Sequence, residues 1–506
     1  MNTGAFQELK LSDSPDRVWS DQQNAIFDWF SAGALGKYRS RNLVVRARAG
    51  TGKTTTILEA INYAPEQKIL LCAFNKKIAT ELGAKLRNPF ACAKTLHGVG
   101  FSFILRNWNG VKVDDERGIR LARRVLGDSS PDAMILLTKR LAAIAKSGGP
   151  NPTLADMVDF AYTFDICPDE TWEQDGWTVE RIAVAALQVL DLAAQRDGTI
   201  DFDDMVWVPT RNLWVRGTYD LVVIDEAQDM NESQLLLAQG VCKKGGRVAV
   251  VGDDRQAIYA FRGADSSSID RLKKELNAEE LGLTITYRCP SLVVDLARTL
   301  VPDFMAGPSN PKGSLLQLPA TKLVETAKPG AFILSRKNAP LVGVCLSLLK
   351  MGKRAKINGK DIGKNMLSIV KKLKATTIVQ FLTKLQAWED RTIKHLLATK
   401  KKSAEARIQI VEDQADTLRA LAEGLRGMKE LEARITDLFT EVAGGDGSAV
   451  VCSSVHRSKG LEADQVFVLE STLYPGGQRG MEEQNIHYVA ITRAKKELFI
   501  VQGVFS

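Results

Sequence analysis

Short apolar runs punctuate a chain that otherwise reads as helical. Residues 43–46 (Leu-Val-Val-Arg) form one such run, followed by a glycine-rich turn and helical spacing from Thr54 to Ala64. That order predicts strand, loop, helix. Residues 69–74, 221–224 and 247–251 predict three more buried strands. Runs apolar on both faces suit a parallel sheet that is covered on both sides. Residues 101–200 are mostly helical in pattern, as in Ile119 to Leu126 and Val179 to Ala194. A second set of buried strands is predicted at 331–334, 449–452, 465–469 and 498–501. Between the first two of these lies a long, basic, mainly helical stretch. The pattern therefore predicts two α/β sheets, each interrupted by a helical insertion. Gly444-Gly445-Asp446-Gly447 marks the exit turn of the second.

Composition narrows the classes. The chain has 506 residues, 45% hydrophobic and 25% charged, enough for several folding units. It is not collagen, a disulfide scaffold or a wholly disordered chain. No apolar run approaches the roughly 18–20 residues of a membrane span. The first eight residues lack the basic-then-apolar order of a secretory signal. Seven scattered Cys without a CxxC predict reduced thiols, a cytoplasmic setting and no zinc site. Only four His argue against a His-rich metal centre. The net charge is +8, yet residues 350–430 alone carry 19 Lys/Arg against 9 Asp/Glu, a net of +10. Such a segment is either a solvated helical face or a contact for a polyanion.

Ala47-Arg-Ala-Gly50-Thr-Gly52-Lys53-Thr54 matches a P-loop except that Ala47 replaces the first Gly. Gly50 and Gly52 let backbone N–H groups turn towards phosphate oxygens. Ala49, Gly50, Thr51, Gly52, Lys53, Thr54 and Thr55 are thus the candidate nucleotide cradle. Lys53 supplies a point charge at the β/γ-phosphates and Thr54 a ligand for Mg²⁺. Val222-Val-Ile-Asp225-Glu226 places an acid pair directly after a buried strand. Burying such a pair is costly unless it meets a cation or an open site. Asp225 is the candidate second metal ligand, and Glu226 the group that polarises an attacking water.

With these residues the sequence resembles the UvrD/Rep/PcrA-type DNA helicases of superfamily one. Val251-Gly-Asp-Asp-Arg-Gln256-Ala-Ile-Tyr259-Ala-Phe261-Arg262-Gly-Ala264 is similar to that family's third motif. Thr286-Tyr287-Arg288-Cys-Pro resembles the fourth, Val455-His456-Arg-Ser-Lys459-Gly460-Leu-Glu462 the fifth, and Tyr488-Val-Ala-Ile-Thr492-Arg493-Ala494 the sixth. Ser20-Asp-Gln-Gln23 resembles the adenine-reading glutamine motif, with Gln22 as the other candidate reader. Ala73-Phe74-Asn-Lys-Lys77 and Thr95-Leu-His97 resemble accessory DNA-contacting motifs, and Asp201-Phe-Asp203-Asp204 a further acidic element near the DNA path.

The resemblance implies two RecA-like parallel-sheet lobes, each with a mainly helical inserted subdomain. Residues 1–100 and 201–285 would form the first lobe and 101–200 its insertion. Residues 286–345 and 446–506 would form the second lobe, and 346–445 its basic insertion. It implies ATP and Mg²⁺ as cofactors and Lys53, Asp225, Glu226, Gln256, Arg288 and Arg493 as catalytic groups. Tyr287 would stack on adenine and Glu462 would touch the ribose. Phe74, Thr95, His97, Tyr259, Phe261, Arg262, Asn338 and His456 would line the DNA track. Trp172, Trp177, Trp207 and Trp214 read instead as core or lobe-contact residues. The implied activity is 3′ to 5′ movement on single-stranded DNA, with unwinding of tailed duplexes in repair, replication or recombination. Stripping of proteins from DNA, or service as the motor of a nuclease or anti-phage complex, would use the same residues. The setting would be a nucleoid or phage-infected bacterial cytoplasm, with no membrane.

Overall fold

The computed structural model describes residues 18–33, 42–73, 75–164, 166–168, 172, 174–258, 268–398, 404–440, 447–473 and 480–503. The first sheet holds β1 (Leu43–Ala47), β2 (Ile69–Ala73), β3 (Ala91–Thr95), β6 (Tyr219–Ile224), β7 (Cys242–Gly252) and β8 (Glu279–Leu283). Its order is β3-β2-β6-β7-β1-β8, and every pairing is parallel. Successive strand residues point to opposite faces. Leu43, Val45, Leu71 and Val223 face one apolar cluster with Ile26, Phe30 and Ile57. Val44, Leu70, Val222 and Val250 face another with Val99 and Leu237. That two-sided cover is why these strands read as unbroken apolar runs.

The helices Arg117–Leu126, Asp132–Ser147, Leu154–Thr163 and Val179–Ala193 follow between β3 and β6. They share a core containing Leu121, Ile135, Leu141, Ile182 and Val189. Trp177 and Trp207 are buried in it, and Trp172 and Trp214 pack against it, so the four tryptophans build core. A short parallel pair, β4 (Lys112–Val113) with β5 (Thr199–Ile200), joins the entry and exit of this helical unit.

β9 (Ile285–Thr286) pairs with β10 (Met305–Ala306) beside the crossing between lobes. The second sheet holds β11 (Ser314–Pro319), β12 (Phe332–Ser335), β13 (Ala355–Asn358), β14 (Phe439–Thr440), β15 (Val450–Ser454), β16 (Ala463–Leu469) and β17 (Ala494–Gln502). It is again wholly parallel, in the order β11-β17-β16-β12-β15-β13-β14. The two sheets are the two RecA-like lobes.

Two strands of this sheet, β13 and β14, come from inside the stretch read as an inserted helical subdomain. The helices around them, Lys360–Leu373, Ile378–Ala398, Ala404–Ala422 and Met428–Leu438, add Met366, Phe381, Leu418 and Ile435 to one core with Ile333 and Cys452 of the sheet. The basic segment is therefore built into the second lobe. Among the described residues no helix is long and apolar enough to cross a membrane.

Candidate nucleotide cleft and nucleic-acid track

β1 ends at Ala47, and the chain turns through Gly50 (φ 68°) and Gly52 (φ 77°) into the helix Lys53–Tyr63. Both backbones lie in the left-handed region that favours glycine. A Cβ on Gly50 would also come within 2.6 Å of Arg288 Cβ and Thr286 Oγ1. No side chain caps the helix start, so its N–H groups remain available to an anion.

This loop opens on a cleft of about 490 Å³ between the lobes. Gly50 through Thr55, Glu226, Asp229 and Gln256 line it from the first lobe, and Arg288, Lys459, Gly460 and Arg493 from the second. Five of the six residues assigned to the reaction thus face one space. The sixth, Asp225, is buried directly behind Glu226, whose N–H donates to Asp225 Oδ1 at 2.9 Å.

Burial and the adjacent Glu226 push the Asp225 carboxyl up to about 7, against the opposing pull of Lys53 and the Thr54 hydroxyl. A carboxylate this poorly compensated, with a threonine hydroxyl beside it, fits a divalent cation. Glu226 behaves oppositely. Burial disfavours its charge, but Lys53 and Lys459 outweigh that and hold its carboxyl below the usual range. Lys53 Nζ lies 3.8 Å from Glu226 Oε1, and Gln228 Nε2 donates to Oε2 at 2.6 Å. Glu226 stays about a third exposed at the mouth of the cleft. It is thus ionised and open, as a water-polarising group must be.

Arg493 is only 1% exposed and makes no ion pair with a carboxylate among the described residues. Its guanidinium donates to the carbonyls of Val489 (2.9 Å) and Leu461 (3.2 Å). Burial and neighbouring Arg288 push it down to about 10. Two arginines side by side in a cleft create demand for an anion. Arg288 Nε is 2.5 Å from Glu462 Oε2, so Glu462, the expected ribose contact, stands here as the partner of Arg288. Gln256 donates to Asp253 Oδ2 at 2.6 Å.

The two candidate adenine readers separate clearly. Gln22 exchanges both halves of its amide with Thr284, at 2.8 and 2.9 Å. Gln23 lies at the phosphate loop. Its Nε2 donates to Thr56 Oγ1 at 2.9 Å, and its Oε1 accepts from Ser20 N and from Tyr287 OH at 3.4 Å. The Tyr287 ring beside it is 46% exposed, a free face for a base. Ala49 is buried, and its N–H donates to Tyr488 OH at 2.9 Å.

Lys459 and Tyr488 lie within quoted motifs, but sequence reasoning gave neither a role. Lys459 Nζ crosses from the second lobe to Asp229 and to the Gln256 carbonyl. Nothing in the spacing signals this, because the partners sit 230 and 203 residues apart.

Of the track candidates, Phe74, Tyr259, Phe261 and Arg262 lie outside the described residues. Thr95 caps the helix Leu96–Asn107 by accepting from Gly98 N at 3.1 Å. The His97 ring stacks on Phe202 at 4.0 Å with a 21° interplanar angle, and burial pushes its imidazole down to about 4. Phe202, exposed, was not singled out from the sequence. Two acids of the same segment are anchored by Lys146, which pairs with Asp201 (2.6 Å) and Asp204 (2.7 Å). Asn338 is engaged by Asp413, which accepts from its backbone N–H (2.8 Å) and side-chain amide (2.8 Å). His456 is partly buried in the short helix Val455–Ser458.

Comparison with known proteins matches the same architecture. The UvrD/REP helicase N-terminal domain matches residues 33–277, and the UvrD-like helicase C-terminal domain residues 364–503. The chain is 25% identical over 517 residues to F-box DNA helicase protein 1 of Schizosaccharomyces pombe, covering 90% of this chain and 55% of that protein. It is 24% identical over 298 residues to DNA helicase II of Escherichia coli, covering 51% and 38%. It is 23% identical over 607 residues to the probable DNA helicase II homolog of Mycoplasma capricolum, covering 91% and 82%. The chain thus spans about half the length, or less, of the first two. The N-terminal match falls mainly on the lobe that carries Lys53 and Glu226, the C-terminal match on the lobe that carries Arg493, and by both measures the chain belongs to the UvrD/Rep-type helicase family.

Proposed function

We propose that this chain is an ATP-driven motor that moves 3′ to 5′ on single-stranded DNA and opens tailed duplexes as it advances. One observation carries the reading: Lys53 and Glu226 of one lobe line the same cleft as Arg288 and Arg493 of the other. Lys53 and the loop amides would hold the terminal phosphates. Glu226, ionised and open, would orient and deprotonate the attacking water. Arg288 and Arg493 would stabilise charge developing on the transferred phosphoryl group, a role worth several orders of magnitude in rate. A magnesium ion held at Thr54 and Asp225 would neutralise phosphate charge. Because the two sides of the cleft belong to different bodies, nucleotide binding favours closure and hydrolysis releases it. The DNA grip would come from stacking and backbone charge, which are tolerant of sequence.

The test is steady-state ATPase with and without a single-stranded oligonucleotide, with Glu226→Gln as the control. Strong stimulation, absent from the variant, supports a DNA-coupled motor, and tailed duplexes of each polarity then test direction. Hydrolysis that single strands leave unchanged would overturn the DNA-coupled reading.

A further inference from the structure

Arg48 occupies a variable position of the phosphate loop, one that the motif itself does not specify. Its guanidinium nevertheless meets three carboxylates. Nη1 lies 2.7 Å from Asp254 Oδ1 and 3.2 Å from Asp253 Oδ1, and Nη2 lies 2.9 Å from Asp303 Oδ2. Asp253 and Asp254 follow β7 in the first lobe. Asp303 sits just before β10, beside Phe304 in the apolar cluster of the second lobe. The next two residues also bond across the boundary. Ala49 N donates to Tyr488 OH at 2.9 Å, and Gly50 O accepts from Tyr287 N at 2.9 Å. Three consecutive residues of the loop are thus tied to the second lobe.

The other end of the same network reaches the cleft. Asp253 is wholly buried, and its second oxygen accepts from Gln256 Nε2 at 2.6 Å. Asp253 and Asp254 already face the buried Arg48 from its own lobe, and the half-exposed Asp303 adds the arm that crosses to the other. Its effect is geometric, because a planar guanidinium that bridges two bodies fixes their angle.

We propose that Arg48 is a positioning residue for nucleotide hydrolysis: bridged to Asp303, it holds the Asp253–Gln256 segment in register with the phosphate loop when the lobes close. This rests on the ATPase reading above.

The test uses Asp303→Asn and Arg48→Lys in the full chain. Lysine keeps a charge beside Asp253 but cannot fork between lobes. Both variants should lose about tenfold in DNA-stimulated kcat, as small misplacements do, with KM for ATP within about twofold. The double variant should fall no further than either single one, as coupled residues do. A second readout does not depend on turnover. Without nucleotide, hydrogen exchange in peptides covering 47–52 and 284–288 should quicken in both variants, while β2 and β16 stay unchanged. Unaltered kcat together with unaltered exchange would overturn the proposal, as would exchange that quickens everywhere. If the unaltered chain fails to hydrolyse ATP, the functional reading falls, and local exchange still decides whether Arg48 ties the lobes.

Discussion

Lys459 of the second lobe sits 2.7 and 2.8 Å from the two carboxylate oxygens of Asp229 in the first, and donates to the Gln256 carbonyl at 2.6 Å. Both side chains are about nine-tenths buried. Breaking such a pair from one side leaves an uncompensated charge, at a cost of about 3–5 kcal/mol. Lys459→Met should therefore lower the thermal midpoint measurably by calorimetry. The double variant with Asp229→Asn should recover most of the loss. A single variant as stable as the parent would show the pair to be energetically idle.

The acid pair predicts a separation of binding from chemistry. Lys53→Ala should abolish hydrolysis and weaken nucleotide binding. Glu226→Gln should bind a fluorescent ATP analogue normally while kcat falls by about 10²–10⁴, the usual worth of a positioned base. Normal turnover in Glu226→Gln would remove it from that role.

His97 sets a pH signature. Its imidazole is held near 4 by burial, below the ordinary value of about 6.5. Above 6.5 both folded and unfolded forms are neutral there. Between 6.5 and 4 only the unfolded chain takes up the proton, so stability falls as the pH drops through that window. His97→Gln should unfold with a shallower loss between pH 6.5 and 4.5 while differing from the parent by a constant amount above pH 7. Parallel stability curves would show that His97 titrates normally.

The basic segment can be tested without deleting it, which would strip core residues such as Phe381 and Ile435 from the second lobe. Lys360, Lys364 and Lys371 are exposed on the helix Lys360–Leu373 and, at 100° per residue, fall on one face. Changing all three to Gln should reduce the slope of log affinity against log salt by about two to three, since each phosphate contact contributes about 0.7–0.9. An unchanged slope would mark this face as solvated only.

Much of this architecture was legible from the chain itself. The eight apolar runs became the strands at the heart of both sheets, because those strands are buried on both faces. Strands β3, β8 and β11 at the sheet edges were not legible, nor were β13 and β14. Ala91–Thr95 and Ser314–Pro319 are only partly buried and carry mixed residues, so no apolar run announces them. Lys53 and Glu226 could be read from phosphate chemistry, Arg288 and Arg493 only from the family resemblance, and all four line one cleft. Arg48, Lys459 and Phe202 were missed, because their partners are fixed by how distant elements meet. The bonds between Gln22 and Thr284 were likewise invisible, because no local pattern connects residue 22 to residue 284.

The order β12-β15-β13-β14 gives the basic helices a mechanical meaning. They lie between β13 and β14, which fall between β12 and β15 in sequence but beyond β15 in the sheet, and they share its core. They therefore cannot swivel on a tether as a separate arm. In the proposed cycle, closure of the cleft would carry Lys360, Lys364 and Lys371 along with the second lobe, because their helix shares its core. A polyanion held by those lysines would then move with the lobe itself.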